Sequence, residues 1–274
     1  AICRHVSELD AYVPGEQPQN PGIIKLNTNE SPYPPAPEVL KAVSEKDIAN
    51  LRLYSDPTCK VLKERLAGLY GVKPQNIFVS NGSDDILNFA FLAFGRECGA
   101  VFPDISYGFY SVFAQLHGVE YSEIPLKEDF TVDYKDYLGI NKFIAIANPN
   151  APTGIPLSVQ QIEDILLANP HTVVVIDEAY VDFGGESCVP LIDKYDNLLV
   201  VMTYSKSRSL AGARLGFAIG NEEIIRVTLD ERFMEKNGKQ NEIKQNTFTN
   251  SSKTAHAGSP EDAAFIMENA QKII

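Results

Sequence analysis

Positive charge is scarce in this sequence of 274 residues. It has 24 lysines and arginines against 36 aspartates and glutamates, a formal net charge of −12. Proteins that bind nucleic acids need clustered cations, so this balance argues against such a partner. Long apolar runs are missing too: none approaches the roughly 18 residues of a membrane-spanning helix, so we expect no membrane partner. Residues 1–5 contain no apolar core of a secretory signal.

Motifs for metals, nucleotides and disulfides are also missing. The four histidines are scattered and form no HExxH pattern, so we expect no metal site. Neither GxGxxG nor GxxxxGK[ST] occurs, which leaves a dinucleotide or P-loop site without support. The four cysteines form no CxxC pair, and we interpret them as reduced thiols of a cytoplasmic protein.

One lysine lies in a linker between two apolar runs that are predicted core strands. Lys206 is surrounded there by hydroxyl-bearing residues. A lysine in this place is costly to desolvate unless it has a use, and one use is a Schiff base with an aldehyde. Thr203, Ser205 and Arg214 could then hold an anionic group of that aldehyde. The alternative is a surface turn rich in serine and basic residues. The two runs are residues 198–202 and 215–219.

Short apolar strands alternate with amphipathic helices from about residue 76 to residue 202. This pattern predicts an α/β fold, with a mainly parallel sheet covered by helices on both faces. Polar loops follow several strands, where such proteins place ligands. The glycine turn at 81–85 opens a helix and offers N–H groups to an anion, or it is a plain helix cap. Asp177 ends an apolar strand and needs a cation; a metal-binding Asp-Glu pair is the rival interpretation.

Several segments, in the same order along the chain, resemble the pyridoxal-phosphate (PLP) aminotransferases of fold type I, and among them the histidinol-phosphate aminotransferases. The similarity runs from about residue 20 to about residue 225. It implies the fold-type-I architecture, with an N-terminal arm and an incomplete small domain. The motifs that carry it are LNTNESPY at 26–33, YSDP at 54–57, NGSDD at 81–85, SYGFY at 106–110, NPNAPTG at 148–154, DEAY at 177–180 and SKSRSLAGARLGF at 205–217.

The resemblance assigns catalytic roles to three residues. Lys206 would carry PLP and move a proton between the substrate carbon and the cofactor. Asp177 would keep the ring nitrogen protonated, and Tyr180 would bind the 3′-oxygen of the cofactor together with Asn148. Tyr107 would stack on the ring. The residues implied at the cofactor phosphate are Gly82, Ser83, Asp84, Thr203, Ser205 and Arg214.

Residues near the N-terminus are implied at the substrate and at a subunit boundary. Asn29 and Tyr33 belong to the entry segment that runs along the active site in the family. Tyr54 would reach the cofactor phosphate of the other subunit, which implies a homodimer. By composition alone, the proline-rich residues 1–38 would be a flexible arm.

The implied reaction moves an amino group between L-histidinol phosphate and 2-oxoglutarate in histidine synthesis. Two alternatives remain open. One is another fold-type-I enzyme, such as a threonine-phosphate decarboxylase or an aromatic aminotransferase. The other is a PLP-binding remnant without turnover.

The motif resemblance stops near residue 225. Residues 236–260 are polar and predicted to be disordered, and a helix is predicted over 263–274. The family's C-terminal domain supplies arginines for the substrate carboxylate, and we find no counterpart. We expect PLP binding with poor turnover by this chain. The predicted units are the arm and entry helix (1–45), the PLP-binding large domain (46–225) and an altered or truncated segment (226–274).

Overall fold

The structure is a computed structural model and describes residues 16, 20, 22–42, 49–50 and 52–229. Its centre is one seven-stranded sheet with the order β1-β7-β6-β5-β4-β2-β3. The strands are β1 (Ile77–Asn81), β2 (Ala100–Pro103), β3 (Tyr121–Ile124), β4 (Phe143–Ala147), β5 (Val174–Asp177), β6 (Leu198–Thr203) and β7 (Leu215–Gly220).

Most neighbouring strands in this sheet run parallel, as predicted. The exception is β7, which is antiparallel to both β1 and β6. All other pairs are parallel, so β1 points the same way as β2 to β6. The last residues of those six strands and the first residue of β7 therefore lie along one side of the sheet, named here the C-terminal edge.

Helices cover both faces of the sheet, as predicted. Because strand residues alternate between the faces, the core has two apolar layers. One contains Leu66 of α2 and Ile162 of α5, and the other contains Leu87 of α3 and Phe113 of α4. The described α-helices are α1 (Pro37–Ala42), α2 (Lys60–Tyr70), α3 (Ser83–Ala90), α4 (Phe109–His117), α5 (Val159–Ala168) and α6 (Glu222–Leu229).

Local sequence signals explain where two of the helices begin or end. Ser158 caps α5, where its hydroxyl accepts from the Gln161 N–H and the Gln161 side chain reaches back to the Ser158 N–H. Gly71 ends α2 with a φ of 69°, a conformation that favours glycine.

Strand β3 and helices α4 and α6 were not predicted, and some predictions lie outside the described residues. Strand β3 is only four residues long and lies at the sheet edge, and α4 begins within the SYGFY motif. The predicted disorder over 236–260 and the helix over 263–274 fall on residues that the structure does not describe. Each described helix is too short or too polar to cross a bilayer.

Candidate active site

The predicted site residues collect at the C-terminal edge of the sheet. The loops after parallel strands meet there, which is why residues far apart in sequence become neighbours. The antiparallel direction of β7 brings the end of the lysine linker to the same place. The glycine turn follows β1, Tyr107 follows β2, Asn148 follows β4, Asp177 ends β5, Thr203 ends β6, and Arg214 precedes β7.

Lys206 is half-buried beneath the N-terminal arm. Its Nζ donates to the Thr28 carbonyl at 3.0 Å and lies 5.8 Å from the centroid of the Tyr180 ring. The Asn29 Nδ2 donates to the Tyr180 hydroxyl at 2.8 Å. The arm therefore crosses the lysine and brings Asn29 to the site, while Tyr180 lies beside the amine.

Asp177 is a buried residue, only 4% exposed to solvent. One oxygen accepts from the Ala179 N–H at 3.1 Å, and the other accepts from the Tyr110 hydroxyl at 3.0 Å. Burial raises the pKa of Asp177 to about 6, and the two hydrogen bonds oppose this rise. No ion pair to Asp177 occurs among the described residues, so the site offers a buried carboxylate to an incoming cation.

The turn after β1 forms an anion cradle with Arg214. Gly82 has a φ of 82° and precedes the first residue of α3. A Cβ at Gly82 would lie 2.6 Å from Arg214 Nη2, so the guanidinium rests directly on this turn. A Cβ at Gly216 would lie 2.3 Å from the carbonyl carbon of Gly82 and 2.4 Å from the Ser83 nitrogen. The close packing at Gly82 and at Gly216 thus brings the Arg214 guanidinium and the N-terminus of α3 together.

Hydroxyl groups of the lysine linker border this cradle. The Thr203 hydroxyl donates to Ser205 Oγ at 2.9 Å, and the Ser205 N–H donates to Thr203 Oγ1 at 3.1 Å. Thr203 pairs in register with Gly216, the residue that packs on the turn after β1. Both hydroxyls are therefore next to the anion cradle, as the predicted phosphate role requires.

Tyr107 contacts the same turn from the β2 side. Its hydroxyl donates to Asp84 Oδ1 at 2.7 Å, and Arg214 Nη2 lies 3.5 Å from the other oxygen of Asp84. Its ring packs in parallel with Phe109 and edge-on to Tyr110. Asp84 thus connects Tyr107 with Arg214. Stacking of Tyr107 on a cofactor ring stays a prediction.

Asn148, the predicted partner of the cofactor 3′-oxygen, also bonds within its own loop. Its Oδ1 accepts from the Leu157 N–H at 2.7 Å, and its Nδ2 donates to the Leu157 carbonyl at 3.2 Å. The buried side chain therefore pairs with both backbone groups of Leu157 and holds the loop between the two residues closed. One N–H of the amide is left for a ligand. The contact with the 3′-oxygen stays a prediction.

Two predicted residues are not brought to the others. Tyr33 is 76% exposed, and Tyr54 is 97% exposed. Within the described part of this chain, the Tyr54 ring meets none of the cradle residues. Its predicted role is at the cofactor phosphate of a second subunit, and this stays a prediction.

Sequence reasoning gave no role to Glu178 beyond the rival metal interpretation. Its carboxylate accepts from the Cys188 N–H at 2.6 Å and from the Ser187 hydroxyl at 2.7 Å. Burial raises its pKa to about 7. Glu178 thus ties the chain at 187–188 to the end of β5. The sequence signal for this role was the carboxyl group itself, because a carboxyl group at the end of a buried strand needs hydrogen-bond donors around it. The described residues contain no group of three acidic, histidine or cysteine side chains arranged to hold a metal.

A second missed group fixes the lysine linker. Asp182 accepts from the Ser207 hydroxyl, and the Arg208 Nε donates to it at 3.2 Å. The Arg208 guanidinium also lies 5.3 Å from the centroid of the Tyr204 ring. These contacts hold the residues on either side of Lys206.

Comparison with known proteins gives consistent matches. The sequence profile of the family "Aminotransferase class I and II" matches residues 21–231. A histidinol-phosphate aminotransferase of Brachyspira hyodysenteriae is 54% identical over 219 residues, which are 79% of this chain and 62% of that protein. One from Acinetobacter baumannii is 46% identical over 273 residues, 98% of this chain and 73% of that protein.

Two further facts follow from these matches. The alignment to the Acinetobacter protein extends into residues 226–274, where no motif was recognised. The chain spans 62% of the length of the Brachyspira protein.

The fold is also shared with solved structures. The histidinol-phosphate aminotransferase of Sinorhizobium meliloti, solved in complex with pyridoxal-5′-phosphate, superposes with a TM-score of 0.70 at 24% identity. The match covers 89% of this chain and 63% of that one. The predicted fold class is therefore confirmed.

Proposed function

The chain belongs to the aminotransferase class I and II family, and we propose that it binds PLP and takes part in amino-group transfer. The observation that carries this proposal is the joint position of three features at one sheet edge. They are the Lys206 amine, the buried carboxylate of Asp177 and the anion cradle of Gly82 and Arg214.

The residues present fit this cofactor at two points. A phosphate dianion needs N–H donors and a cation in a cleft without side chains in the way. The close contact of Gly82 with Arg214 at the start of α3 provides both. A protonated pyridine nitrogen needs a buried anion, and Asp177 is one without an ion-pair partner in the described residues.

Each residue of the site then has a chemical task. Bound PLP supplies an electron sink for the substrate carbon. The Lys206 Nζ would move a proton between that carbon and the cofactor, as general base and then general acid. Asp177 would hold the proton on the ring nitrogen. The Tyr180 hydroxyl would donate to the 3′-oxygen, and Asn29 already donates to this hydroxyl and so orients it.

The names of the relatives support a narrower substrate. We propose that the reaction transfers an amino group between L-histidinol phosphate and 2-oxoglutarate, within histidine biosynthesis. Asn29 and Tyr33 would line the substrate side. A panel with L-threonine phosphate, aromatic amino acids and L-histidinol phosphate separates this reaction from the related fold-type-I activities.

The assembly and compartment are also proposals. The arm and the YSDP motif expose Ile24, Leu26 and Tyr54 almost completely, which suits burial against a second copy of this chain. A homodimer would bring Tyr54 to the phosphate of the partner site. A cytoplasmic location suits the free thiols of Cys98 and Cys188.

The test of the proposed function is chemical labelling. The protein is incubated with PLP, reduced with borohydride and mapped by peptide mass spectrometry. We expect the label on Lys206, and no label there in Lys206→Arg. Lys25→Arg is the matched control, because this lysine lies in the arm that covers the site. A label that stays in Lys206→Arg and disappears in Lys25→Arg would overturn the assignment.

A further inference from the structure

A buried tyrosine lies behind the predicted cofactor site and received no role from the sequence. Tyr110 is the second residue of α4 and is 1% exposed. Its hydroxyl donates to Asp177 Oδ2 at 3.0 Å. This is the one side-chain hydrogen bond to Asp177 in the described residues, and the other donor is the backbone N–H of Ala179.

The Tyr110 ring is fixed by aromatic neighbours. It is stacked on Phe91 at 6.2 Å between centroids and tilted against Phe102 at 5.7 Å. Tyr107 packs edge-on against it at 5.6 Å. A ring held on these sides keeps its hydroxyl directed at Asp177. The hydroxyl also stays a donor, because burial and the adjacent carboxylate raise the pKa of Tyr110 well above its ordinary value.

We propose that Tyr110 is a positioning residue that keeps the Asp177 carboxylate ionised and correctly oriented for the ring nitrogen of the cofactor. The first half of this proposal concerns this chain alone. The second half rests on the proposed function.

The physical reason lies in the balance of effects on Asp177. Burial disfavours its charged form, and the Tyr110 hydrogen bond is the largest effect that opposes burial. The Ala179 N–H and the charge of Lys206 act in the same direction with smaller effects, while Asp84 acts against them. The pKa of Glu178, the next residue in the chain, is raised mainly by burial and also by the charge of Asp177. Without the Tyr110 hydrogen bond, the pKa of Asp177 would rise further.

The experiment titrates Asp177 in the protein without cofactor. The protein is labelled with ¹³C at aspartate carboxyl groups, and the Asp177 signal is assigned by its loss in Asp177→Asn. We expect Tyr110→Phe to move its titration midpoint upward by about one pH unit or more, the size of a lost hydrogen bond to a charged group. Tyr137→Phe is the matched control. Tyr137 is also fully buried, but its hydroxyl has no partner in the described part of the chain.

Both outcomes are decisive. An Asp177 midpoint that is the same in the parent, Tyr110→Phe and Tyr137→Phe overturns the proposal. If circular dichroism shows that Tyr110→Phe does not fold, the parent protein is labelled at tyrosine Cζ instead. The Tyr110 signal should then follow the titration of Asp177 and lose this step in Asp177→Asn. A Tyr110 signal without the step overturns the proposal equally.

The cofactor part has a separate readout. If the parent binds PLP, Tyr110→Phe should bind it about tenfold more weakly than Tyr137→Phe does. Equal PLP affinities would overturn the orienting role. A parent protein that binds no PLP would refute the proposed function, and the carboxyl titration would still test the contact between Tyr110 and Asp177.

Discussion

Asp177 and Glu178 are consecutive, buried carboxyl groups with separate partners. Asp177 bonds to α4 through Tyr110, whereas Glu178 bonds to Ser187 and to the backbone of Cys188. Both pKa values are raised by burial, to about 6 and about 7. Because Glu178 accepts hydrogen bonds from Ser187 and Cys188, its role is structural. Asp177 is the carboxylate that is available for a cationic ring.

The first prediction concerns the charge of Asp177. In Asp177→Asn, PLP should still attach to Lys206, but its ring nitrogen should lose the proton at neutral pH. Amino transfer from glutamate should fall ~100-fold or more, because an aligned charge in a dry site is worth several kcal/mol. The measurements are the ¹⁵N signal of ring-labelled PLP and the rate of cofactor conversion.

Glu178→Gln is the control for Asp177→Asn, since it removes the adjacent buried carboxyl group. It should keep the ring nitrogen protonated. A protonated ring nitrogen in both variants would contradict the role of Asp177.

The residues predicted from sequence are those whose own type and position in a motif indicate a role, whereas the missed ones act through contacts with distant parts of the chain. Lys206, Asp177 and the glycine turn could be located because strand ends and loop chemistry are local signals. The hydrogen bond from Lys206 Nζ to the Thr28 carbonyl could not be predicted, because a backbone carbonyl is present in every residue and gives no signal in the sequence. Tyr110 was recognised as part of an aromatic motif, but its hydrogen bond to Asp177 depends on how α4 packs against β5.

At the scale of elements, the direction of β7 decides the composition of the site. Its apolar run was predicted as a strand, but a run alone does not reveal which neighbours it pairs with. Because β7 is antiparallel to β6, its first residue lies at the C-terminal edge and Arg214 precedes it there. A parallel β7 would have placed Arg214 at the opposite edge of the sheet.

The second prediction tests the contact between β7 and the turn after β1. Gly216→Ala should push the chain at Gly82 and Ser83 away, because the new Cβ meets backbone atoms at 2.3 and 2.4 Å. Overpacking of this kind typically destabilises by about 1–3 kcal/mol. We therefore expect a lower midpoint of urea unfolding and a PLP affinity at least about tenfold weaker.

The control for this substitution is Gly212→Ala in the same linker. A Cβ at Gly212 would have no neighbour within 4 Å. It should change neither the unfolding midpoint nor PLP affinity. Equal behaviour of the two variants would show that the turn tolerates the extra carbon.

At the scale of the whole molecule, the described chain carries the lysine, the ring-nitrogen partner and the anion cradle. No described residue is assigned to the carboxylate of the substrate. One more part, the exposed Tyr54, is predicted to act from a second copy of this chain. A subunit boundary is not readable from one sequence by physical reasoning, and only the resemblance pointed to it.

The third prediction is that two copies share each site. Sedimentation should show a dimer when PLP is bound. Lys206→Ala and Tyr54→Phe should each be impaired in PLP binding or turnover as pure proteins. Mixed dimers of the two should regain one intact site, because Tyr54 of one copy serves Lys206 of the other. A PLP-loaded monomer, or mixtures without recovery, would contradict this arrangement.

The pairing of β1 with β7 has a consequence for how the protein is made. Ile77 pairs with Ile219, so the two walls of the anion cradle are separated by nearly the whole length of the sheet-forming chain. Long-range pairings form late, after the local elements. During synthesis, the ribosome must release the chain past β7 before the cradle exists. A nascent chain that still lacks β7 therefore has the glycine turn without the guanidinium, and the phosphate end of the site is completed last.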